Sequence, residues 1–556
     1  MNQSKEALKI GLLLDSLTAP SWVAEIITLL QASDFAKIEL LVLNTNPGPY
    51  ADSSQRLLKN LHKLVYFAYT TLDRKFFPNK PDPFEERNLS ELLAEVPQLK
   101  IVPERGKFTD TFLERDLQEI QSYELDVLYR AGFRILNGDI LSAAKHGVWS
   151  FHHGNSENHR GGPACFWEAV EDWPETCVTL QKLDSKLDAG QVISKSFGGV
   201  YPYSPNRNKG SIFWKSVALL PRALQELHEQ GQQEFEKRIQ NFNRDVSFYD
   251  QRLYRAPGNL QALGIVCRQL LKIVKRALLK LWYVDQWFLM FRFDRDGLST
   301  EIHRFHRLFP PKDRIWADPH ILWKDNKHHV FLEELEFKKS KGTISHFTLN
   351  TDGKMTPATK ILERDYHLSY PFIFEFNTNL YMVPESFQSR RIELYECAEF
   401  PDRWEFRSNV MEDICATDTT IFQHGERWWL FTTIAEREGM NCQDELFIFY
   451  AESPLSQNWI PHAQNPVVSD VKRGRSAGRI LEQNGKYYRP AQDGSFHYGR
   501  AIRFYEIVTL TTQEYSERFV TVIAPNWDKR VLATHSISYD NNLTMIDAYT
   551  RRPRFF

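Results

Sequence analysis

The chain has 556 residues and a mass of 65.2 kDa, more than one core needs, so two or three domains of about 100–250 residues are expected. Its 69 Lys and Arg against 71 Asp and Glu leave a formal charge of −2, which excludes a wholesale polycation for nucleic acid. With 42% hydrophobic and 25% charged residues and a mean hydropathy of −0.46, it also falls outside the disordered class.

The opening stretch MNQSKEALKIGLLLD carries an acidic residue inside its short apolar run and does not read as a signal peptide. No window approaches the roughly 18 uncharged residues that a membrane span needs. The six cysteines (Cys165, Cys177, Cys267, Cys397, Cys415, Cys442) include no CxxC pair, so neither a zinc site nor a disulfide framework is expected. A reducing cytoplasm is the expectation.

Residues 8–14 (LKIGLLL) read as a buried strand, Trp22 to Leu30 as an amphipathic helix and 38–44 (IELLVLN) as a second strand. Strand, helix, strand opens a parallel α/β sheet. A second unit spans 125–150: LDVLYRAGF as strand, DILSAAKHG as helix and VWSFHHG as the next strand. Ligands of such sheets gather beyond the carboxyl ends of the strands, which makes SFHHG a candidate site. From about 211 to 295 the pattern is helical, with IFWKSVALLPRALQELHEQG expected to pack back on the α/β domain.

Within that region, 259–283 sets apolar residues at helical spacing between Arg268, Lys272, Lys275, Arg276 and Lys280. A basic amphipathic helix of this kind either lies on an anionic membrane surface or links domains with its apolar side docked. The docked linker is the expectation. After about 305 short aromatic and β-branched strands take over. Five related segments recur: WADPHILW (316–323), LSYPFIFEF (368–376), ATDTTIFQ (416–423), SAGRILEQ (476–483) and ATHSISYD (533–540). A recurrence every 45–60 residues or so fits four-stranded propeller blades, and five repeats suggest five blades. A β-sandwich is the alternative. The domains expected are therefore 1–230 (α/β), 231–304 (helical linker) and 305–556 (five-bladed β-propeller).

Three motifs in the first part carry a resemblance: AGFRIL (131–136), GVWSFHHGNSENHRGGPACFW (147–167) and CVTLQKLDSKLDAGQVI (177–193). Together they resemble the folate-dependent formyltransferases, which act on glycinamide ribonucleotide, methionyl-tRNA and sugar amines. The resemblance implies a Rossmann-type α/β domain, 10-formyltetrahydrofolate as co-substrate and no metal. It puts His152 on the family's His, Asp188 on its Asp, and Arg160, Gly161 and Pro163 on its loop. Ser150 stands where the family has Asn, and His153 where it commonly has Pro. Asn155 or His153 could replace the missing amide. These departures leave open either an unusual acceptor or a non-catalytic domain. The chemistry needs a donor to the oxyanion that develops on the formyl oxygen, which a histidine supplies, and a carboxylate to orient the ring and take the amine proton. Arg160 either binds an anionic part of the substrate or clamps its loop.

The second half, through DRIWADPHI, HLSYPFIFE, MVPES, DTTIF with GERWWLF, SAGRILEQNGKYYRPAQD and THSISY, is similar to the N-terminal propeller of plant glucosamine inositolphosphorylceramide transferases. It is similar, more distantly, to furanose-cleaving glycosidases. First strands that converge on an axis would bring Asp318, Tyr370, Asp418, Arg479 and His535 together, with Glu385, Arg489 and Asp493 at the ends of second strands. Such a group either forms a sugar pocket or serves as strand caps and ion pairs. The function expected is formyl transfer to an amine of a sugar or glycan-linked substrate, with a carbohydrate-binding propeller and no nucleic-acid partner. The alternatives are an active propeller beside a degenerate α/β domain, and a non-catalytic glycan scaffold.

Overall fold

The computed structural model describes residues 5–46, 60–185, 190–245, 248–294, 299 and 301–554. It divides into two compact units, Met1–Ile273 and Val274–Phe556.

In the first unit the apolar run at 8–14 becomes β1 (Leu8–Leu14), followed by α1 (Ser21–Gln31) and β2 (Ala36–Asn44), which lies parallel to β1. After α2 (Leu64–Phe76), β3 (Gln98–Ile101) extends the sheet beyond β2. The chain then crosses back through α3 (Glu114–Gln121) to β4 (Val127–Arg130) on the far side of β1, and β5 (Val148–His152) adds parallel to β4. The antiparallel strands β6 (Glu175–Lys182) and β7 (Gln191–Gly199) finish the order β7-β6-β5-β4-β1-β2-β3. This is the expected parallel-sheet α/β unit. Its strand order reverses between β1 and β4, so the crevice for a ligand lies beyond the carboxyl ends of β1, β4 and β5.

The helix expected from DILSAAKHG is a single 3-10 turn, Asp139–Ser142. Gly138 and Gly147 bracket it at positive φ, 83° and 76°, and the few residues between them are too short to repay helix nucleation. Four helices follow: α4 (Phe166–Val170), α5 (Pro205–Gln230), α6 (Gln232–Phe242) and α7 (Asn259–Trp282). α5 starts where Ser204 Oγ accepts from Arg207 N–H at 3.2 Å with Pro205 in the first turn, satisfying an orphan donor. It packs back on the sheet layer through α1, with Phe213 edge-on to Trp22 at 5.3 Å.

α7 departs from the docked linker. Its buried residues among those described are Ala262, Ile265 and Gln269, while its leucine-rich side is exposed.

The second unit is all-β. Sheet I joins Tyr283–Phe293 to His306–Leu308 on one side and to Leu543–Pro553 on the other, which also pairs with Ile537–Asp540. Tyr283–Phe293 falls in the segment read as helical; its dense aromatic run YVDQWFLMFRF suits a pleated surface instead. Sheets II (strands within 314–362), III (369–412), IV (415–469) and V (481–523) are antiparallel and successive in sequence. Sheets II, III and IV share one detail. Their first strands break register just after Ala317, Ser369 and Thr417, which face Glu333, Glu385 and Thr433. The next residue in each, Asp318, Tyr370 and Asp418, has φ of 50°, 43° and 49°. Bulges re-aim side chains, and left-handed backbone at a non-glycine residue marks a functional constraint more often than chance.

Candidate functional site

The first cluster lies beyond β5. Val148, Ser150 and His152 alternate along one side of the strand. His152 is buried, and its Nε2 donates to the His159 carbonyl at 2.8 Å, which leaves Nδ1 as the ring's proton-accepting atom when the ring is neutral. Gly154 makes room for this packing, because a Cβ there would lie 2.9 Å from His152 Nε2 and 2.8 Å from His159 Nδ1.

Glu168 on α4 is a buried acid that the sequence reading missed. It is 1% exposed, and its Oε2 has no hydrogen-bond partner among the described residues. Burial pushes its carboxyl up to about 7, while His152 is near enough to favour the charged form. Glu168 also lines a cleft of about 320 Å³ with Asn155, Asn158, Trp173, Phe197 and Gln251. A buried acid that titrates near neutrality beside an imidazole, at the edge of a cleft, is the arrangement expected of an acid–base couple.

The other residues read from the motifs are placed as follows. Asn155 lines the cleft, and its Oδ1 accepts from Lys195 Nζ at 3.1 Å. Ser150 is occupied elsewhere: Arg130 donates to its hydroxyl at 3.1 Å, and Arg130 also holds the carbonyls of Phe133 and Arg134 at 2.8 and 3.0 Å. Ser150 thus fixes the loop after β4 rather than offering a donor to a substrate. His153 points the other way from His152, flat on Phe213 with ring centroids 3.5 Å apart and its Nε2 at 3.0 Å from Ser216 Oγ. Burial, with His152 and Lys209 adding, holds it well below the ordinary histidine range, so it is a neutral packing residue. Arg160 clamps its loop: Nε donates to the Ser156 carbonyl at 2.9 Å, and the guanidinium lies 4.5 Å over the Tyr249 ring. Asp188 lies outside the described residues.

The second cluster is in the all-β unit. Arg475 donates through Nε and Nη2 to Asp418 at 2.5 and 3.1 Å, and through Nη2 to Glu385 at 2.9 Å. Gln492 Nε2 adds a donor to Asp418 at 2.6 Å. Burial raises the Glu385 carboxyl well above its usual range; Arg475 opposes this and Asp418 reinforces it. Asp318 is likewise raised, by burial first and then by Asp418 and Glu333, with His535 opposing. His535 Nδ1 lies 2.6 Å from Asp547 and Nε2 lies 3.5 Å from Asp318. Although burial disfavours its charge, Asp547 and Asp318 hold the imidazolium to about 9. Asp547 also accepts from the backbone N–H groups of His535 and Ser536 at 2.8 and 3.1 Å. Asp318, His535 and Asp547 offer ligand atoms within 4.8 Å of one another, a group that could hold a metal only by displacing the His535 proton. Tyr370 N–H donates to Asp318 at 3.3 Å, which ties sheets II and III at their bulges.

Arg479 is turned to structure: it holds His320 Nε2 at 2.9 Å and the Ile373 carbonyl at 3.0 Å. Two expected members are directed elsewhere. Arg489 forms a buried bidentate pair with Glu517 at 2.9 and 3.0 Å, and Asp493 binds Arg503 at 2.7 Å and Ser495 N–H at 2.9 Å. Both lie on Lys486–Asp493, where pairing with the neighbouring strands of sheet V consumes their polar atoms. Arg475, Asp547, Gln492 and Glu333 were missed. The repeat itself was the signal for Arg475, since it stands one residue before the SAG segment.

The family model described as Glucosamine inositolphosphorylceramide transferase 1, N-terminal, matches residues 310–540. Glucosamine inositolphosphorylceramide transferase 1 of Oryza sativa subsp. japonica is 35% identical over 204 residues, 36% of this chain and 27% of that protein. Methionyl-tRNA formyltransferase of Listeria innocua is 33% identical over 101 residues, 18% of this chain and 31% of that protein. The chain therefore spans about a third or less of the length of these curated relatives. Among solved structures, the alpha-L-arabinofuranosidase PaAbf62A of Podospora anserina aligns at 14% identity with a TM-score of 0.33, covering 49% of this chain and 97% of that one. That score is too low to define a fold. The two sequence relatives are both named as transferases, one of each kind that the two halves resemble.

Proposed function

We propose that the α/β unit transfers a formyl group from 10-formyltetrahydrofolate to an amine on a sugar or glycan-linked substrate. The all-β unit, read as a five-bladed propeller, binds the glycan part through its acidic cluster. The observation that carries the reading is buried Glu168, which lines an open cleft and feels the charge of the His152 imidazole at the end of β5. The cleft suits the donor, because Trp173 and Phe197 offer apolar walls while Asn155, Asn158 and Gln251 offer amide groups to a flat heterocycle.

The donor supplies an electrophilic formyl carbon when bound. His152, with Nε2 fixed on the His159 carbonyl, presents an Nδ1–H when protonated, and a donor to a developing oxyanion is worth about 3 kcal/mol of barrier. Glu168, with its carboxyl at about 7, takes the proton lost by the amine as the new C–N bond forms, and a proton delivered to N10 as the donor's own C–N bond breaks releases tetrahydrofolate. The similarity to a methionyl-tRNA formyltransferase supports formyl transfer, and the match of 310–540 to the inositolphosphorylceramide-transferase model supports a carbohydrate context. Localisation in the cytoplasm, where folate donors are made available, accompanies the proposal. The test is turnover of the donor with amino sugars: His152→Ala should lower kcat about 100- to 1,000-fold at little change in donor affinity. Equal turnover would refute the role.

A second reading makes the all-β unit the seat of glycosyl chemistry. It is favoured by the Glu385–Asp418–Arg475 group, where burial raises the Glu385 carboxyl and one arginine holds both acids, which brings two carboxyl groups together in one buried place. Glu385→Gln abolishing turnover while His152→Ala spares it would select this reading.

A further inference from the structure

The strongest feature left unused by either reading is α7. At about 100° per residue, its three buried residues, Ala262, Ile265 and Gln269, share one narrow arc. The opposite arc carries Leu260, Leu263, Leu271, Val274, Leu278 and Leu281 and ends on Trp282, with exposures from 52% to 88%. The helix therefore docks by its back and presents its apolar face outward. An exposed apolar stripe of this length, about 36 Å at 1.5 Å per residue, is rare on a protein surface without a partner.

The flank of the stripe defines that partner. α7 holds Arg268, Lys272, Lys275, Arg276 and Lys280 and not one Asp or Glu. On the same projection Arg268 and Lys275 are exposed beside the stripe, Lys272 next to them is held by Asp172 at 2.6 Å, and Arg276 and Lys280 lie on the side of the buried arc. At the start of α7, Asn259 donates to the Leu61 carbonyl at 2.8 Å and accepts from Val65 N–H at 3.1 Å. This joins it to α2, which exposes Leu64, Phe67, Leu72 and Phe76. Two copies pairing through α7 would set two rows of positive charge side by side, which disfavours a second copy. No helix among the described residues is long and apolar enough to cross a membrane.

We propose that α7 is an in-plane anchor that seats the protein on the surface of an anionic lipid bilayer. The leucine stripe enters the headgroup boundary, the basic flank meets lipid phosphates and carboxylates, and Trp282 sits at the interface. The inference is independent of the formyl-transfer reading.

The test is flotation of the full chain with phosphatidylcholine vesicles, with and without phosphatidylserine. The expected result is co-flotation with the phosphatidylserine vesicles, weakened at least about tenfold by high salt or by Arg268→Glu with Lys275→Glu, and abolished by Leu271→Ser with Leu278→Ser. All these positions are exposed, and unchanged circular dichroism verifies folding. Absence of flotation with phosphatidylserine, or flotation indifferent to both variants, overturns the proposal. A dimer in solution that Leu271→Ser dissociates, without vesicle binding, assigns the face to a second copy and overturns it equally.

Discussion

Glu168 is a residue whose chemistry and stability effect share one cause. Burial lifts its carboxyl from 4.5 to about 7, so between those values the folded state binds more protons than the unfolded one, and stability falls as pH rises. The full effect is on the order of 3 kcal/mol. Glu168→Gln should therefore melt close to the parent below pH 4.5 and well above it beyond about 7; parallel melting curves across that range would contradict the assignment. His535 gives the same slope from the opposite cause, because here the fold favours the charged form. Its pKa is raised from 6.5 to about 9, so the stability it contributes is fully present below 6.5 and lost as pH climbs through 9. His535→Gln should be most destabilising in acid and lose its effect in alkali, as read by urea unfolding at a series of pH values. His152 was legible because it ends an apolar strand run with a glycine behind it. Glu168 was not, because FWEAVED reads as the acidic flank of a surface helix, and only the packed fold shows that this one carboxyl turns inward.

At the scale of elements, the bulges of sheets II, III and IV explain which polar residues meet. Strand alternation puts successive side chains on opposite faces, and one inserted residue resets that alternation. The repeats made Asp318, Tyr370 and Asp418 equivalent on sight, and the structure gives all three the same left-handed backbone. The repeat could not say which arginine faces them. Arg479 and Arg489 were expected, yet Arg475 does so, because sequence similarity marks a segment and not the direction of a side chain within it. Arg475→Met leaves Asp418 and Glu385 buried without their cation, a change that costs about 3–5 kcal/mol. Chemical denaturation should show that loss in the transition of the all-β unit; a loss below about 1 kcal/mol would mean the pair is solvated. For the same reason the helical reading of 283–293 failed: aromatic residues at close spacing satisfy both periods, and the pairing with Leu543–Pro553 decides for a strand.

At the scale of the molecule, the two halves were legible as kinds of fold from runs and repeats alone: a parallel α/β unit and an all-β unit of successive antiparallel sheets. The boundary between them was not, since α7 continues through Ile273 and Val274 without a break in helical pattern. Sheet I joins residues near both ends of the all-β unit, with Tyr283–Phe293 paired along its whole length to Leu543–Pro553. Ending the chain at Asp540 should abolish the cooperative melting of that unit and spare the α/β transition; a full-length melting profile would show that the pairing is dispensable. The central claim is that the cleft beside His152 and Glu168 receives a one-carbon folate donor. Titration calorimetry of the full chain with a hydrolytically stable 10-formylfolate analogue tests it most directly. Saturable binding that weakens in Asn155→Ala is the predicted result, and the absence of any binding heat up to millimolar ligand would contradict the account.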